Sequence, residues 1–266
     1  MMQTRLSSAI SKLSQASVLV VGDLAIDEMM YGTTSRMSRE APVLILAHEK
    51  TDIILGGAGN AIHNIASLGA KRAAIVAVTG KDYHCGLLLD AMARDRVETV
   101  GLVQDADRPT TTKTRISGIA NHSVTQQIVR IDREATQMVS GNIQDQILDN
   151  ITRLAPEFDA ILLSDYDLGV MSDEVIAHCR AMAKKHNLIL TADSHRDLGL
   201  FKGADIITPN QPEAENNVGF SLDTLEAVLR GGPILLDKTD GPYVLITRGG
   251  EGMVLFCRES GQYATI

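Results

Sequence analysis

Short apolar runs rich in β-branched residues recur at 17–21, 73–78, 160–163, 188–191, 206–207 and 243–247, most of them separated by segments with helical spacing. Such runs read as buried strands, and strands alternating with helices imply a parallel sheet covered on both faces. The fold class expected is α/β, a mostly parallel doubly wound sheet flanked by helices. In an open sheet of this kind, ligands gather beyond the carboxyl ends of the strands.

One helix is legible almost residue by residue. In 172–186, Ser172 can cap, Asp173 and Glu174 sit in the first turn, and Lys184, Lys185 and His186 sit in the last. Val175, Ile176, Cys179, Met182 and Ala183 form its apolar stripe. A further helix is expected over 222–229, closed by Gly231, and a short one at the N-terminus from the spacing of Leu6, Ile10 and Leu13. Two regions, about 29–53 and 109–132, are rich in Thr, Ile and Val without a helical stripe. They are expected to be antiparallel strands of a small lid inserted in a single domain, 1–266. A lid sheet of this kind often buries its open face against a second subunit, so a homodimer through the lid is expected.

Composition narrows the function. A formal charge of −8 over 266 residues argues against a nucleic-acid or acidic-membrane surface as the main partner. The three cysteines, Cys85, Cys179 and Cys257, have no CxxC spacing, which points away from a zinc site or disulfide framework and towards a reducing cytoplasm. No apolar run approaches the length of a membrane span. His63, His84, His122, His178 and His186 lack ligand spacing or neighbouring carboxylates and read as ordinary histidines.

The chemistry concentrates at the strand ends. Gly56-Gly57-Ala58-Gly59-Asn60 precedes an amphipathic run, 61–68, that stops at Gly69. Adjacent glycines let backbone amides approach a ligand, the helix start offers unpaired N–H groups, and the Asn60 carboxamide suits a sugar hydroxyl. A tight turn with Asn60 satisfying local backbone is the plain alternative. Asp23 and Asp27 follow the first strand, where a carboxylate can accept bonds from two adjacent hydroxyls or simply cap the loop. In Asn210-Gln211-Pro212-Glu213, a capping box and a phosphate-facing helix start with Glu213 ordering a hydrated Mg²⁺ are compatible readings. Thr247, Gly249 and Gly252 form either a hairpin turn or a wall beside ribose and phosphates. Ser164-Asp165-Tyr166 and Asp193-Ser194-His195 add polar groups at two more strand ends. Neither GxGxxG after the first strand nor a P-loop occurs, which argues against a dinucleotide oxidoreductase and a P-loop ATPase.

Taken in order, VVGDLAIDEMMYGTTSRMSREAPV, LGGAGNAIHNIASLGA, TTTKTRI, QQIVRID, LSDYDLG, FKGADIITPNQPEAE and ITRGGEGM run nearly end to end, and the chain resembles the ribokinase/PfkB family of carbohydrate kinases, heptose-kinase type. The resemblance implies a ribokinase-like fold and phosphoryl transfer from ATP, with Mg²⁺, to the hydroxyl of a sugar or sugar phosphate. By motif position Asp27, Gly57 and Asn60, with Asp23, would hold the sugar. Asn210, Gln211, Pro212 and Glu213 would attend the phosphates, with Glu213 reaching the metal through water, and Thr247, Gly249 and Gly252 would line the nucleotide. Lys113, Arg115 and Arg130 on the lid would meet an anionic group of the substrate or face solvent.

The chain departs from the family pattern in three places. The late Gly-Ala-Gly-Asp motif, whose Asp serves the family as catalytic base, does not occur before Ile266, so no catalytic base is nominated and the domain is expected to be C-terminally incomplete. It would then be either a fragment of a longer kinase or a noncatalytic binding remnant, with part of its sheet uncovered. Leu168 stands where heptose kinases carry a lysine, and Asp193-Ser194-His195 where they read Asp-Pro-Lys. Losing two ammonium groups makes a different phosphosugar, an unphosphorylated sugar or a nucleoside an alternative substrate.

Overall fold

The computed structural model describes residues 10–119 and 125–266. Its backbone is a nine-stranded sheet whose first strand, β1 (Ser17–Gly22), lies inside the sheet between β4 (Arg72–Gly80) and β8 (Ala160–Asp165). Beyond β4 lies β5 (Glu98–Asp105). On the other side β8 is followed by β9 (Ile189–Ser194), β10 (Ile206–Ile207), β11 (Tyr243–Thr247), β12 (Met253–Cys257) and β13 (Tyr263–Thr265). Every pair from β5 to β11 is parallel, and the last two pairings, β11 with β12 and β12 with β13, are antiparallel. The strand order therefore reverses at β1, which opens a crevice at its carboxyl end.

Helices α1 (Ala58–Ser67) and α2 (Tyr83–Arg94) pack on one face around Val20, Ile75, Ile62, Leu88 and Met92, all fully enclosed. The opposite face is covered by α3 (Gly141–Leu154), α4 (Asp173–His186), α5 (Gln211–Val218) and α6 (Leu225–Thr239). Both faces are covered around β1, and the part of the sheet expected to be uncovered lies from β8 outward. From β8 outward, Ile161, Leu190, Ile207, Val244, Ile246 and Val254 are buried, whereas Leu162, Thr191, Ile206, Leu245 and Leu255 in the alternate positions are only half-buried. No described helix lies over that part of the sheet beyond α1, which reaches β8.

Helix α4 follows its sequence reading: the Ser172 hydroxyl accepts from the Val175 N–H at 3.3 Å, and Val175, Ile176, Cys179 and Ala183 are buried. Helix α6 does not. It starts after Thr224, whose hydroxyl accepts from the Ala227 N–H, and continues through Gly231-Gly232-Pro233 to Thr239 instead of stopping at Gly231. The reason is packing, because a Cβ on Gly232 would lie 2.3 Å from the Phe256 ring on β12. The bare backbone lets the helix press against the sheet, and that burial outweighs the poor helix propensity of glycine. At the N-terminus residues 10–13 are helical, while Leu6 lies outside the described residues.

The lid is a four-stranded sheet in the order β3, β2, β6, β7, built from β2 (Leu24–Met37), β3 (Leu44–Gly57), β6 (Thr112–Ile119) and β7 (Gln126–Arg133). Its two hairpins are antiparallel as expected, but β2 and β6 at the centre pair in parallel, which corrects the all-antiparallel reading. That pairing aligns Asp27 with Lys113, and Asp27 also sits opposite Ile54 on β3. The strands extend further towards the core than the sequence suggested, since β3 ends at Gly57, directly against α1.

Candidate active site

The crevice at the end of β1 is built by close backbone contact. A Cβ on Gly22 would stand 2.0 Å from the Ser164 carbonyl of β8, so only glycine permits this approach. Gly57 caps α1 at φ 58°, and a Cβ there would meet the Asp23 carbonyl at 2.4 Å. That same carbonyl accepts the Ala58 N–H at 2.8 Å, fixing the start of α1 against the end of β1.

Around this point lies a cavity of about 340 Å³ lined by Asp27, Gly56, Gly57, Asn60, Lys113 and Arg115, with Ala25, Ile54, Leu55, Tyr166 and Leu168 completing it. Asp27, Gly57 and Asn60, proposed from two separate motifs, thus share one cavity. Asn60 is exposed on the first turn of α1 and its carboxamide bonds to no described residue, so it does not serve the local backbone. Arg115 Nη1 is paired with Asp27 Oδ1. The other oxygen, Oδ2, lies over Gly56, where an added Cβ would come within 3.1 Å of it. The Lys113 ammonium has no acceptor among the described residues. Arg130 pairs instead with Asp132 at 2.9 Å on β7 and does not line the cavity.

Asp23 is a correction to the expected sugar contacts. It is 1% exposed, and its carboxylate accepts the N–H groups of Tyr166 (2.8 Å), Leu168 (3.1 Å) and Val170 (2.9 Å). Burial raises its pKa, and the three amide bonds only partly offset that. With its acceptors turned to the backbone, Asp23 shapes the loop that carries Tyr166 and Leu168 into the cavity wall.

The second cluster forms where β9, β10 and β11 end. The capping box is present: the Glu213 N–H donates to Asn210 Oδ1 at 2.9 Å and the Asn210 N–H to Glu213 Oε2 at 2.8 Å. Glu213 Oε1 is 2.9 Å from His195 Nδ1. Burial raises the pKa of Glu213, against the Asn210 amide and His195, which lower it. Burial likewise raises Asp193, which accepts from the Thr208 hydroxyl at 3.4 Å. Asn210 bridges in parallel to Thr247, whose N–H donates to the Pro209 carbonyl at 3.0 Å, so the α5 start and the end of β11 form one edge. Past Thr247, Gly249 turns at φ 54° with open space where its Cβ would be. Gly252, at φ 81°, is instead pressed against the Ile266 carbonyl and has a packing role. Gln211 and Pro212 open α5, with Gln211 bonded to Glu215 at 3.1 Å.

This edge offers phosphates a helix start and an open glycine turn. It contains no group of three or more His, Cys, Asp or Glu among the described residues able to cage a metal. Mg²⁺ arriving with a nucleotide, held by phosphates and water with Glu213 in its outer shell, fits the donor set. A family model for pfkB family carbohydrate kinases matches residues 15–265. The chain belongs to this family. Among curated relatives, the bifunctional protein HldE of Pelobacter propionicus is 37% identical over 256 residues, covering 96% of this chain and 51% of the relative. That of Geobacter sulfurreducens is 36% identical, covering 91% and 48%. The chain thus spans about half the length of the curated relatives it matches. The fold is that of an Arabidopsis thaliana ribokinase complexed with ribose and ATP (TM-score 0.67, 16% identity, 94% of this chain and 77% of that one). It is also that of phosphofructokinase-2 from Escherichia coli in complex with fructose-6-phosphate (0.71, 15%, 94% and 79%).

Members of the pfkB family are carbohydrate kinases. The sequence reading left some of its site residues without a role. Tyr166 and Leu168 line the cavity, and the Tyr166 ring meets that of His195 at a tilt, with centroids 4.8 Å apart. Asp165 and Ser194 are buried behind them, Asp165 accepting from Ser194 Oγ and from Arg196 Nε at 2.7 Å each. Their signal in sequence was only position at a strand end. His63 and His84 do have carboxylate neighbours, Asp95 at 2.6 Å and Glu28 at 4.0 Å, supplied by other elements and so invisible to local spacing. His122 lies outside the described residues.

Proposed function

We propose that the chain binds a sugar or sugar phosphate in the 340 Å³ cavity and ATP with Mg²⁺ along the α5–β11 edge, as the kinase half of a heptose-kinase-like enzyme. The observation that carries this reading is the convergence of Asp27, Gly57, Asn60 and Lys113 on one cavity at the sheet's switch point. Asp27 Oδ2 and the Asn60 carboxamide would take the sugar hydroxyls, and the Gly57 backbone allows the substrate to approach closely. Lys113, free of other partners among the described residues, would meet an anionic end. Leu168 on the same cavity is apolar, which leaves fewer cations for a phosphosugar and favours substrates beyond a phosphorylated heptose.

When bound, Mg²⁺·ATP supplies the phosphoryl group. Asn210 to Glu213 would hold its phosphates and hydrated ion, with Thr247 and Gly249 beside them. Gly252 would serve through the turn it closes. The reading assigns the base that activates the hydroxyl to none of these 266 residues. We further propose a cytoplasmic enzyme that dimerises through the lid, on the exposed apolar residues Ile128, Val129 and Ile131 of β7.

Calorimetry on the 266-residue chain with Mg²⁺·ATP and with ribose, fructose, fructose 6-phosphate and heptose 7-phosphate tests the binding. An ADP-release assay of the same mixtures tests transfer. Saturable binding of one sugar and of nucleotide is expected; no binding of either would overturn the proposal, and binding without ADP release would favour a noncatalytic remnant.

A further inference from the structure

His195 sits between the two clusters and touches both. One face of its ring lies against Tyr166, which forms part of the sugar-cavity wall, and its Nδ1 is 2.9 Å from Glu213 at the start of α5. The contacts differ in kind. The first is a ring contact at an interplanar angle of 53°, which fixes where the Tyr166 side chain stands. The second is an ion-pair contact between a ring nitrogen and a carboxylate oxygen. Glu213 is nearly enclosed, with its other oxygen already taken by the Asn210 N–H, and the His195 ring nitrogen stands against the remaining one. The His195 backbone is held in turn by its N–H, which donates to the Asp165 carbonyl at 3.2 Å across the ends of β9 and β8. The ring itself is half exposed, so these contacts are not the by-product of a packed core.

We propose that His195 is a positioning residue that serves both subsites at once, setting Tyr166 for the sugar through its ring and Glu213 for the nucleotide and its metal through Nδ1. This rests on the binding sites proposed above. Because two chemically distinct parts of one side chain do the two tasks, they can be removed separately. His195→Gln keeps a polar nitrogen and loses the ring, whereas His195→Phe keeps a ring and loses the nitrogen that faces Glu213.

Calorimetric titration of the wild-type chain and both variants with Mg²⁺·ATP, and with whichever of the four sugars the wild type binds, separates the two roles. His195→Gln is expected to weaken the sugar about tenfold and to hold nucleotide affinity within about threefold. His195→Phe is expected to do the reverse. Thermal melting should leave both variants folded, because the side chain is half exposed. Equal loss of both ligands in both variants, or no loss in either, would overturn the assignment while leaving the binding sites standing. A wild-type chain that binds neither ligand would overturn the sites and the assignment together.

Discussion

Asp23 and Asp27 lie four residues apart, follow the same strand, and have opposite fates because of what surrounds each carboxylate. Asp23 has three backbone N–H donors pointing at it and no solvent, while Asp27 has one cation and an open cavity. Sequence offered no means of separating them, since the donors to Asp23 come from residues 166–170, far along the chain. The two should be separable by mutation. Asp23→Ala strands three buried amides at about 1–3 kcal/mol each, so chemical denaturation should show a loss of several kcal/mol or an unfolded chain. Asp27→Asn weakens only one partly exposed ion pair, worth about 1 kcal/mol, yet should weaken sugar binding by about 10–100-fold. Denaturation and calorimetry on both variants check the pair; a stable Asp23→Ala chain, or unchanged sugar affinity in Asp27→Asn, would contradict it.

At the scale of elements, local chemistry was legible and pairing was not. The Ser172 cap and the stripe of α4 are written within fifteen consecutive residues, whereas the parallel register of β2 on β6 joins segments more than eighty residues apart. Gly231 misled for the same reason: the ring that requires its neighbour Gly232 belongs to β12. Asp82 shows how a cap can also staple tertiary structure. Its carboxylate caps α2 by accepting the Cys85 N–H at 3.0 Å, and it accepts the Thr110 N–H at 2.8 Å just before β6 enters the lid. Burial acts to raise its pKa, but the bonds from Thr110 and Cys85 prevail and hold it below 3.8. Because the folded value is the lower one, the stabilisation is complete above pH 3.8 and is lost as pH falls through the folded value. Asp82→Ala should therefore cost about 1 kcal/mol near neutrality, and the gap to wild type should close in acid. Urea midpoints measured from pH 7 down to pH 3 would show it; a gap constant with pH would remove the carboxylate from the explanation.

For the whole molecule, the polar strand ends announced the ligand edge in sequence, since each follows an apolar run directly. What sequence could not give is which residues form the uncovered part of the sheet. From β8 to β12 one face is sealed by α3 to α6, and the other presents Leu162, Ile206, Leu245 and Leu255, with Tyr243 and Met253 at 40% and 39% exposure, in neighbouring registers. A contiguous apolar surface of this kind is a liability in water unless something covers it. Two apolar surfaces then compete to explain any self-association of the 266-residue chain, this sheet face and the lid strand β7. Hydrophobic-dye fluorescence and sedimentation can assign it. Leu245→Lys with Leu255→Lys should lower dye binding severalfold and suppress concentration-dependent aggregation, because charge on an exposed sheet face opposes further association. Val129→Lys with Ile131→Lys should leave dye binding nearly intact and shift a defined dimer to monomer. If the sheet-face variant bound dye as strongly as the wild type, that face would be closed in solution and the open side of the sheet would not be the surface that limits this chain.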